Sequence, residues 1–373
     1  MGVRSLVKKP IDLWWKYEQH LRVLGLLTGF IFDLIIADRP DSAANNLLLL
    51  SYLGIAGLLI VFLNIRTTRR RDVEPSYQPL FLLFILQFCF GGLASNLLVL
   101  YGRSGTFAAS TLFFLLLLGL VVGNEFLRSR YAQLRFNIVT YYVLLLTYLL
   151  IALPTFVFHS VGTWVFLASG AVSLVIVSVF LGVVYWAVLR GRQREQQLYE
   201  VSILVGLVFM LFNGLYFLNI IPPVPLSLKN VGIYHELERL SAPAGGSQRI
   251  YRARYEAPMW FVFWRDTSAT YTLHADSSAT CFSSVFAPSR LTAPVYHRWE
   301  KYDAEERGWV QEARISFAIS GGRDGGFRGF TNLTVTPGKW RCNVETANGA
   351  LIGRTSFTVV ESDTPPVLSQ KEL

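Results

Sequence analysis

The 373 residues are 52% hydrophobic and 16% charged, with a mean hydropathy of +0.40; a soluble chain carries about a quarter charged residues, so a single soluble domain is excluded. The formal net charge is +9, but it is uneven. Residues 1–222 hold 17 Lys/Arg against 10 Asp/Glu and residues 223–373 hold 17 against 15, with no basic stripe, which argues against nucleic-acid binding.

In chain order, seven apolar segments read as transmembrane helices: 23–37, 47–65, 80–101, 107–123, 138–158, 161–189 and 201–221. A helix needs about 20 apolar residues to cross a bilayer, and backbone in lipid must satisfy its own hydrogen bonds. Trp164 and Trp186 sit near opposite ends of the sixth segment, where amphipathic rings favour the interface. The first segment is short and contains Asp33. It reads either as a retained helix or as a signal-peptide core cleaved near Ala43 or Ala44.

Basic residues set the orientation. Arg4, Lys8, Lys9, Lys16 and Arg22, then Arg66, Arg69, Arg70 and Arg71, then Arg128, Arg130 and Arg135, then Arg190, Arg192 and Arg194 fall on one side; the alternate short loops hold Arg39 and Arg103. The positive side is cytoplasmic, so the N-terminus is expected inside and residue 223 onward outside.

Polar residues within membrane segments are functional candidates. Asp33, Asn96 and Asn213 lead, with Asn124, Glu125 and Asn219 behind them. Asp33 suggests a transporter or proton relay as the alternative to an anchoring role. Gly25/Gly29 and Gly119/Gly123 have the spacing that lets helices approach closely, read here as packing. Ser104, in a Gly-x-Ser-Gly loop, and His159 are weak catalytic candidates. Intramembrane serine proteases of the rhomboid type place such residues at comparable helices, but that family's further early histidine and asparagine are missing: His20 reads as cytoplasmic. Ser104 and His159 also serve as ordinary turn residues.

Pro222, Pro223 and Pro225 end the last helix, and 223–248 reads as a linker with one short element, a helix or strand at 234–240. From about Arg249 the pattern alternates with period two. In 309–319, Trp309, Ala313, Ile315, Phe317 and Ile319 share one face and Glu312, Arg314 and Ser316 the other. In 339–345, Trp340, Cys342 and Val344 oppose Arg341, Asn343 and Glu345. Asn348-Gly349 predicts a hairpin into a strand at 351–360. Earlier strands are expected at 259–265, 270–275, 281–286 and 295–301. About seven short strands suggest an immunoglobulin-like β-sandwich over 249–361, followed by a flexible tail at 362–373.

Cys281-Phe282, Pro294 through Trp299, Gly338-Lys339-Trp340-Arg341, Val344-Glu345, Gly349 and Phe357 through Val359 together resemble an uncharacterised family of Gram-negative inner-membrane proteins, whose C-terminal periplasmic domain is known as domain of unknown function 2914. The resemblance covers roughly 234–360, and Gly326 through Phe330 match its aromatic and basic motif only loosely. It implies a multi-pass inner-membrane protein with a periplasmic domain, and no activity.

No metal motif is present: His235, His274 and His297 have no ligand spacing, and no CxxC occurs. No cofactor is expected. Asp303, Glu305 and Glu306 read as a solvated turn. Cys281 and Cys342 are a candidate disulfide in an oxidising compartment. The leading expectation is a non-enzymatic, membrane-anchored module that meets lipid through its helices and binds an envelope protein or glycan in the periplasm. Trp260, Trp264, Arg298, Arg328 and Arg341 are its candidate contacts.

Overall fold

The computed structural model describes residues 20, 23–36, 39–69, 80–104, 111, 113, 115, 119, 130–189, 194–240, 250–262, 265–274, 278–320 and 326–373. The chain divides into two compact units, one of helices through Ile221 and one made mainly by Pro222–Leu373.

Among the described residues the first unit has six helices: α1 (Val23–Ile36), α2 (Ala43–Arg69), α3 (Leu80–Arg103), α4 (Arg130–Leu153), α5 (Thr163–Ala187) and α6 (Arg194–Phe217). Five of them, α2 to α6, are long and apolar enough to cross a membrane. The segment expected at 107–123 lies outside the described residues except for Thr111, Phe113, Leu115 and Gly119, which are helical; Asn124 and Glu125 lie outside them entirely. The fourteen described residues of α1 rise about 21 Å. Pro154 has no N–H to donate, and after it α4 loosens into a single π turn, Pro154–Phe158, closed by His159 in the left-handed conformation (φ 49). Asn219 (φ 56) ends the chain's helical run before Pro222.

Packing of α1 explains the glycine spacing. Gly25, Leu26, Gly29 and Asp33 are buried, one stripe of a helix. A Cβ on Gly29 would lie 2.1 Å from the Phe88 carbonyl oxygen, and one on Gly91 would lie 2.1 Å from that of Leu26. The backbones of α1 and α3 therefore touch, which only glycine permits. The opposite face of α1 exposes Leu24, Leu27, Ile31 and Ile35, a surface suited to lipid rather than water. Polar side chains lock the interior. Asn45 and Asn96 exchange both amide hydrogen bonds (3.2 and 2.8 Å), and Tyr101 donates to the Thr147 carbonyl (3.0 Å).

Among the described residues the second unit holds eleven strands: β1 (Ser227–Tyr234), β2 (Glu236–Leu240), β3 (Ile250–Tyr255), β4 (Thr270–Leu273), β5 (Ser278–Phe286), β6 (Thr292–Asp303), β7 (Gly308–Ser320), β8 (Phe327–Thr334), β9 (Gly338–Thr346), β10 (Leu351–Glu361) and β11 (Ser369–Glu372). They form a five-stranded sheet ordered β4-β10-β9-β6-β7 and two three-stranded sheets, β1-β5-β8 and β11-β3-β2. All pairs are antiparallel except β4 with β10. The β9–β10 hairpin turns at Asn348-Gly349, with Gly349 at φ 83, as its sequence predicts.

β5 is central. Cys281 joins Ile233, Trp299, Trp340, Cys342 and Phe357 in one core cluster, while its neighbour Phe282 joins Tyr234, Tyr251 and Ala253 in another. Successive strand residues face opposite ways, so the β5 sheet is covered on both faces. That explains why β5 is buried almost throughout and does not alternate in polarity.

Three expectations need correction. The short element expected at 234–240 is the strand β2, but the stretch ahead of it is not linker, because β1 occupies Ser227–Tyr234. Residues 362–373 are not a free tail: β11 pairs with β3, and Leu373 exchanges backbone hydrogen bonds with Tyr251. β2 and β11 are short and polar, and pairing with the β3 backbone holds them. In place of the strand expected at 259–265, residues 259–262 form a turn, with the Val262 amide on the Met259 carbonyl (2.8 Å), and 263–264 lie outside the described residues. The run from Met259 to Trp264 is apolar without alternation, and Met259, Trp260 and Phe261 are exposed rather than set on a buried face.

Candidate functional site: an arginine-rich sheet face

Alternation on β6, β7, β9 and β10 turns Trp299, Cys342, Val344 and Phe357 into the core and sends their neighbours to the outer face of the five-stranded sheet. Register then lines up side chains that are far apart in sequence. Arg314 lies opposite Arg298, Arg298 opposite Asn343, and Asn343 opposite Arg354. In the next row Glu300 lies opposite Arg341.

Like charges directly opposite destabilise a strand pair, so Arg298 and Arg314 require a counter-charge. Glu345 supplies it, with its two oxygens 2.9 Å from Arg298 Nε and 2.8 Å from Arg314 Nε. Glu300 accepts hydrogen bonds from Arg341 and Asn343 and lies 3.3 Å from Arg298 Nη1. The two carboxylate side chains are only 5% and 3% exposed. Burial alone would raise the Glu300 carboxyl; the Arg341 and Asn343 hydrogen bonds and the charges of Arg298 and Arg341 outweigh it and hold the group below the usual glutamate range. Arg314 also donates to the Thr346 and Ala347 carbonyls (3.2 and 2.9 Å) and covers the Tyr296 ring at 4.1 Å; Arg341 covers Trp309 at 4.3 Å.

Arg298, Arg314 and Arg341 thus share two carboxylates, and Arg354 adds a fourth positive charge to the face. Arg354 is the unmatched one. Its Nε donates to Asn343 Oδ1 (2.6 Å), and it forms no ion pair among the described residues. Burial, then repulsion from Arg341 and Arg298, lowers its pKa despite the attraction of Glu300. Chemically the face is a set of planar donors held rigid by buried carboxylates, suited to a carboxylate or phosphate.

Of the residues singled out in the sequence, Arg298 and Arg341 meet in this network. Arg328 lies on β8, donating to the Leu373 carbonyl (2.7 Å). Trp260 sits in the exposed turn, and Trp264 lies outside the described residues. Glu300, Glu345 and Arg354 were not singled out. Alternation placed Glu345 outward, but only register reveals which outward residues become neighbours. Asp303 caps its turn, accepting from the Glu305 and Glu306 amides (2.7 and 3.1 Å).

Behind this face, Cys281 and Cys342 are joined in a disulfide, 61 residues apart with Cα atoms at 6.6 Å. His297 lies beside it: one ligand atom from each of the three residues falls within 4.8 Å of the others. With the sulfurs bonded to each other, only the imidazole could take a metal. That imidazole is fully buried, with Nε2 2.7 Å from Ser283 Oγ and Nδ1 3.0 Å from Thr331 Oγ1. Thr331 also accepts from the Trp299 indole (3.0 Å). All these groups are satisfied when Thr331 donates to Nδ1 and Nε2–H donates to Ser283, the neutral tautomer. Burial pushes the His297 pKa down to about 3.

In the helical unit, Asp33 is fully buried and neither carboxylate oxygen has a hydrogen-bond partner among the described residues. Tyr52 and Asn96 lie beside it, and Gly92 leaves it room, since a Cβ there would be 2.3 Å from Oδ2. Asn213 bonds back to the Phe209 carbonyl of its own helix (2.8 Å). Ser104 is buried, and the His159 ring nitrogen Nδ1 lies 2.9 Å from the Thr155 carbonyl.

The chain thus joins a unit of membrane-length apolar helices to a β domain. A protein-family profile described as "Protein of unknown function (DUF2914)" matches residues 292–359, the span of β6 to β10 that carries the arginine face. No curated protein matches. Among solved structures, a β-glucosidase from Listeria innocua in complex with gluconolactone is 14% identical over 35% of this chain and 16% of its own, with a TM-score of 0.20. The alkylpurine DNA glycosylase AlkC of Pseudomonas fluorescens, bound to DNA containing an abasic site analog, is 8% identical over 87% of this chain and 100% of its own, with a TM-score of 0.21. This chain therefore spans about a sixth of the first structure's length, and neither likeness carries an argument about fold or activity.

Proposed function

We propose that this is a multi-pass inner-membrane protein whose C-terminal domain, an immunoglobulin-like β-sandwich in the periplasm, binds an acidic group on an envelope protein or glycan. The basic loops support a cytoplasmic N-terminus. The disulfide supports an oxidising compartment for the β domain. The observation that carries the reading is Arg354, repelled by Arg341 and Arg298 and in no ion pair among the described residues. A docked anion would relieve that repulsion.

The full chain in lipid nanodiscs is expected to retain oligogalacturonate or polyglutamate, and not neutral dextran. Arg354→Gln keeps a hydrogen-bonding side chain beside Asn343 and should weaken retention about tenfold, or about 1.4 kcal/mol. Retention by Arg354→Gln equal to the parent's would overturn this assignment.

A second reading, a proton or ion relay, is favoured by Asp33, a fully buried carboxylate in an apolar helix beside Tyr52 and Asn96. It predicts a pH-driven flux in proteoliposomes that Asp33→Asn abolishes while the protein stays folded. A flux that survives the substitution, or no flux in the parent, removes it. No such observation favours a protease using Ser104 and His159.

A further inference from the structure

We propose that the turn at 259–262 inserts into the headgroup layer of the membrane that the helices span. The Val262-to-Met259 hydrogen bond closes the turn and puts Trp260 and Phe261 at its two corners. Their rings meet edge to face, 5.8 Å apart at 89°. Met259, Trp260 and Phe261 remain 69%, 93% and 52% exposed, whereas Trp299 and Trp340 of the same domain are 0% and 3% exposed.

The base of the loop is anchored. Glu256 accepts from the Thr272 amide (2.6 Å) and hydroxyl (3.1 Å) and pairs with His235 Nε2 (2.9 Å); farther along, Arg265 donates to the Ser356 carbonyl (2.5 Å). An ordered base that holds an aromatic tip in water is unfavourable unless another phase takes the tip. Trp and Phe are residues that such an interface favours: large apolar rings, with an indole N–H that can stay hydrated.

Two features select lipid as the occupant. From Ala257 to Trp264 the sequence carries no charge, so the tip offers nothing for an acidic or basic protein surface to match. The covalent link between α6 and β1 is residues 218–226, nine residues, which span about 30 Å at full extension. The β domain therefore stays tethered close to a bilayer surface. The inference rests on the membrane reading of the helices, and not on the arginine face.

The test uses the full chain in phosphatidylethanolamine/phosphatidylglycerol proteoliposomes. A bimane label on Met259→Cys leaves Trp260 and Phe261 in place, and unlabelled Cys89 is buried. The label is expected to be quenched several-fold by doxyl groups near the headgroup end of the lipid chains and shielded from iodide. The same label on Glu305→Cys, in the solvated turn, should show the reverse. Adding Trp260→Asp and Phe261→Asp should abolish doxyl quenching at 259, which controls for insertion driven by the dye. Iodide quenching at 259 equal to that at 305 would overturn the proposal. So would shielding from both quenchers, which would point to a protein occupant. Extraction of the whole chain by alkaline carbonate would instead sink the membrane reading itself.

Discussion

Replacing Cys281 and Cys342 together by alanine is expected to destabilise the C-terminal unit by about 4 kcal/mol, the chain-entropy value for closing a loop of about 60 residues. The two cysteines lie on β5 and β9, strands of different sheets, and both are fully buried in the cluster with Trp299 and Trp340. The bridge therefore ties a strand of one sheet to a strand of another across their shared core. Without it, the unfolded chain regains the freedom of that loop, while the core loses only two small sulfurs. Strand amides of β5 and β9 should exchange with solvent far faster in the double variant. The oxidation state is checked separately by thiol labelling of denatured, unreduced protein, in which Cys89 alone should react. Three labels per chain would show that the native protein keeps both thiols free.

Acidification should weaken the same unit well above the pH at which Glu300 and Glu256 protonate. His297 is buried and neutral, and its pKa is pushed down to about 3 by burial, whereas an unfolded histidine titrates near 6.5. The folded state thus resists a proton that the unfolded state accepts. The stability associated with His297 is complete above about pH 6.5 and falls by about 1.4 kcal/mol per pH unit as pH drops toward 3. Between pH 6.5 and 4.5 the loss is about 2 kcal/mol. Glu300 and Glu256, whose hydrogen bonds lower their pKa values below the glutamate norm, add a loss of the same sign as pH falls through the unfolded glutamate value of about 4.3, and the difference between the parent and His297→Gln separates the imidazole's share from that of the unit's other ionisable groups. The opening free energy of β6 amides, corrected for intrinsic exchange, should follow this slope in the full chain. His297→Gln should flatten it by about one proton. A β6 stability independent of pH across this window would show that the imidazole is not held neutral.

The helices and much of the strand pattern were legible because they depend on local chemistry. Long apolar runs force helices wherever no water can satisfy the backbone. Period-two alternation marked β6, β7, β9 and β10, and it correctly put Cys342 inward and Arg341, Asn343 and Glu345 outward. Asn348-Gly349 specified its hairpin through the backbone conformation that glycine tolerates. Even the meaning of Gly25 and Gly29 was visible as spacing, although their partners at Phe84 and Phe88 were not.

What only the tertiary structure decided depends on which distant residues are brought together. β1 and β11 carry weak patterns, and their pairing with β5 and β3 holds them. β5 does not alternate because sheets cover both of its faces. The turn at 259–262 mimics a strand in sequence, but no partner backbone fills its hydrogen bonds. The arginine face arises from register: Arg298, Arg314, Arg341 and Arg354 stand on four strands, and a slip of one residue would send each to the core side. Sequence alone determined that these residues are charged and strand-borne. Pairing across strands decided that they share two buried glutamates and leave one arginine without a carboxylate, because electrostatic energy depends on distance in space and not along the chain.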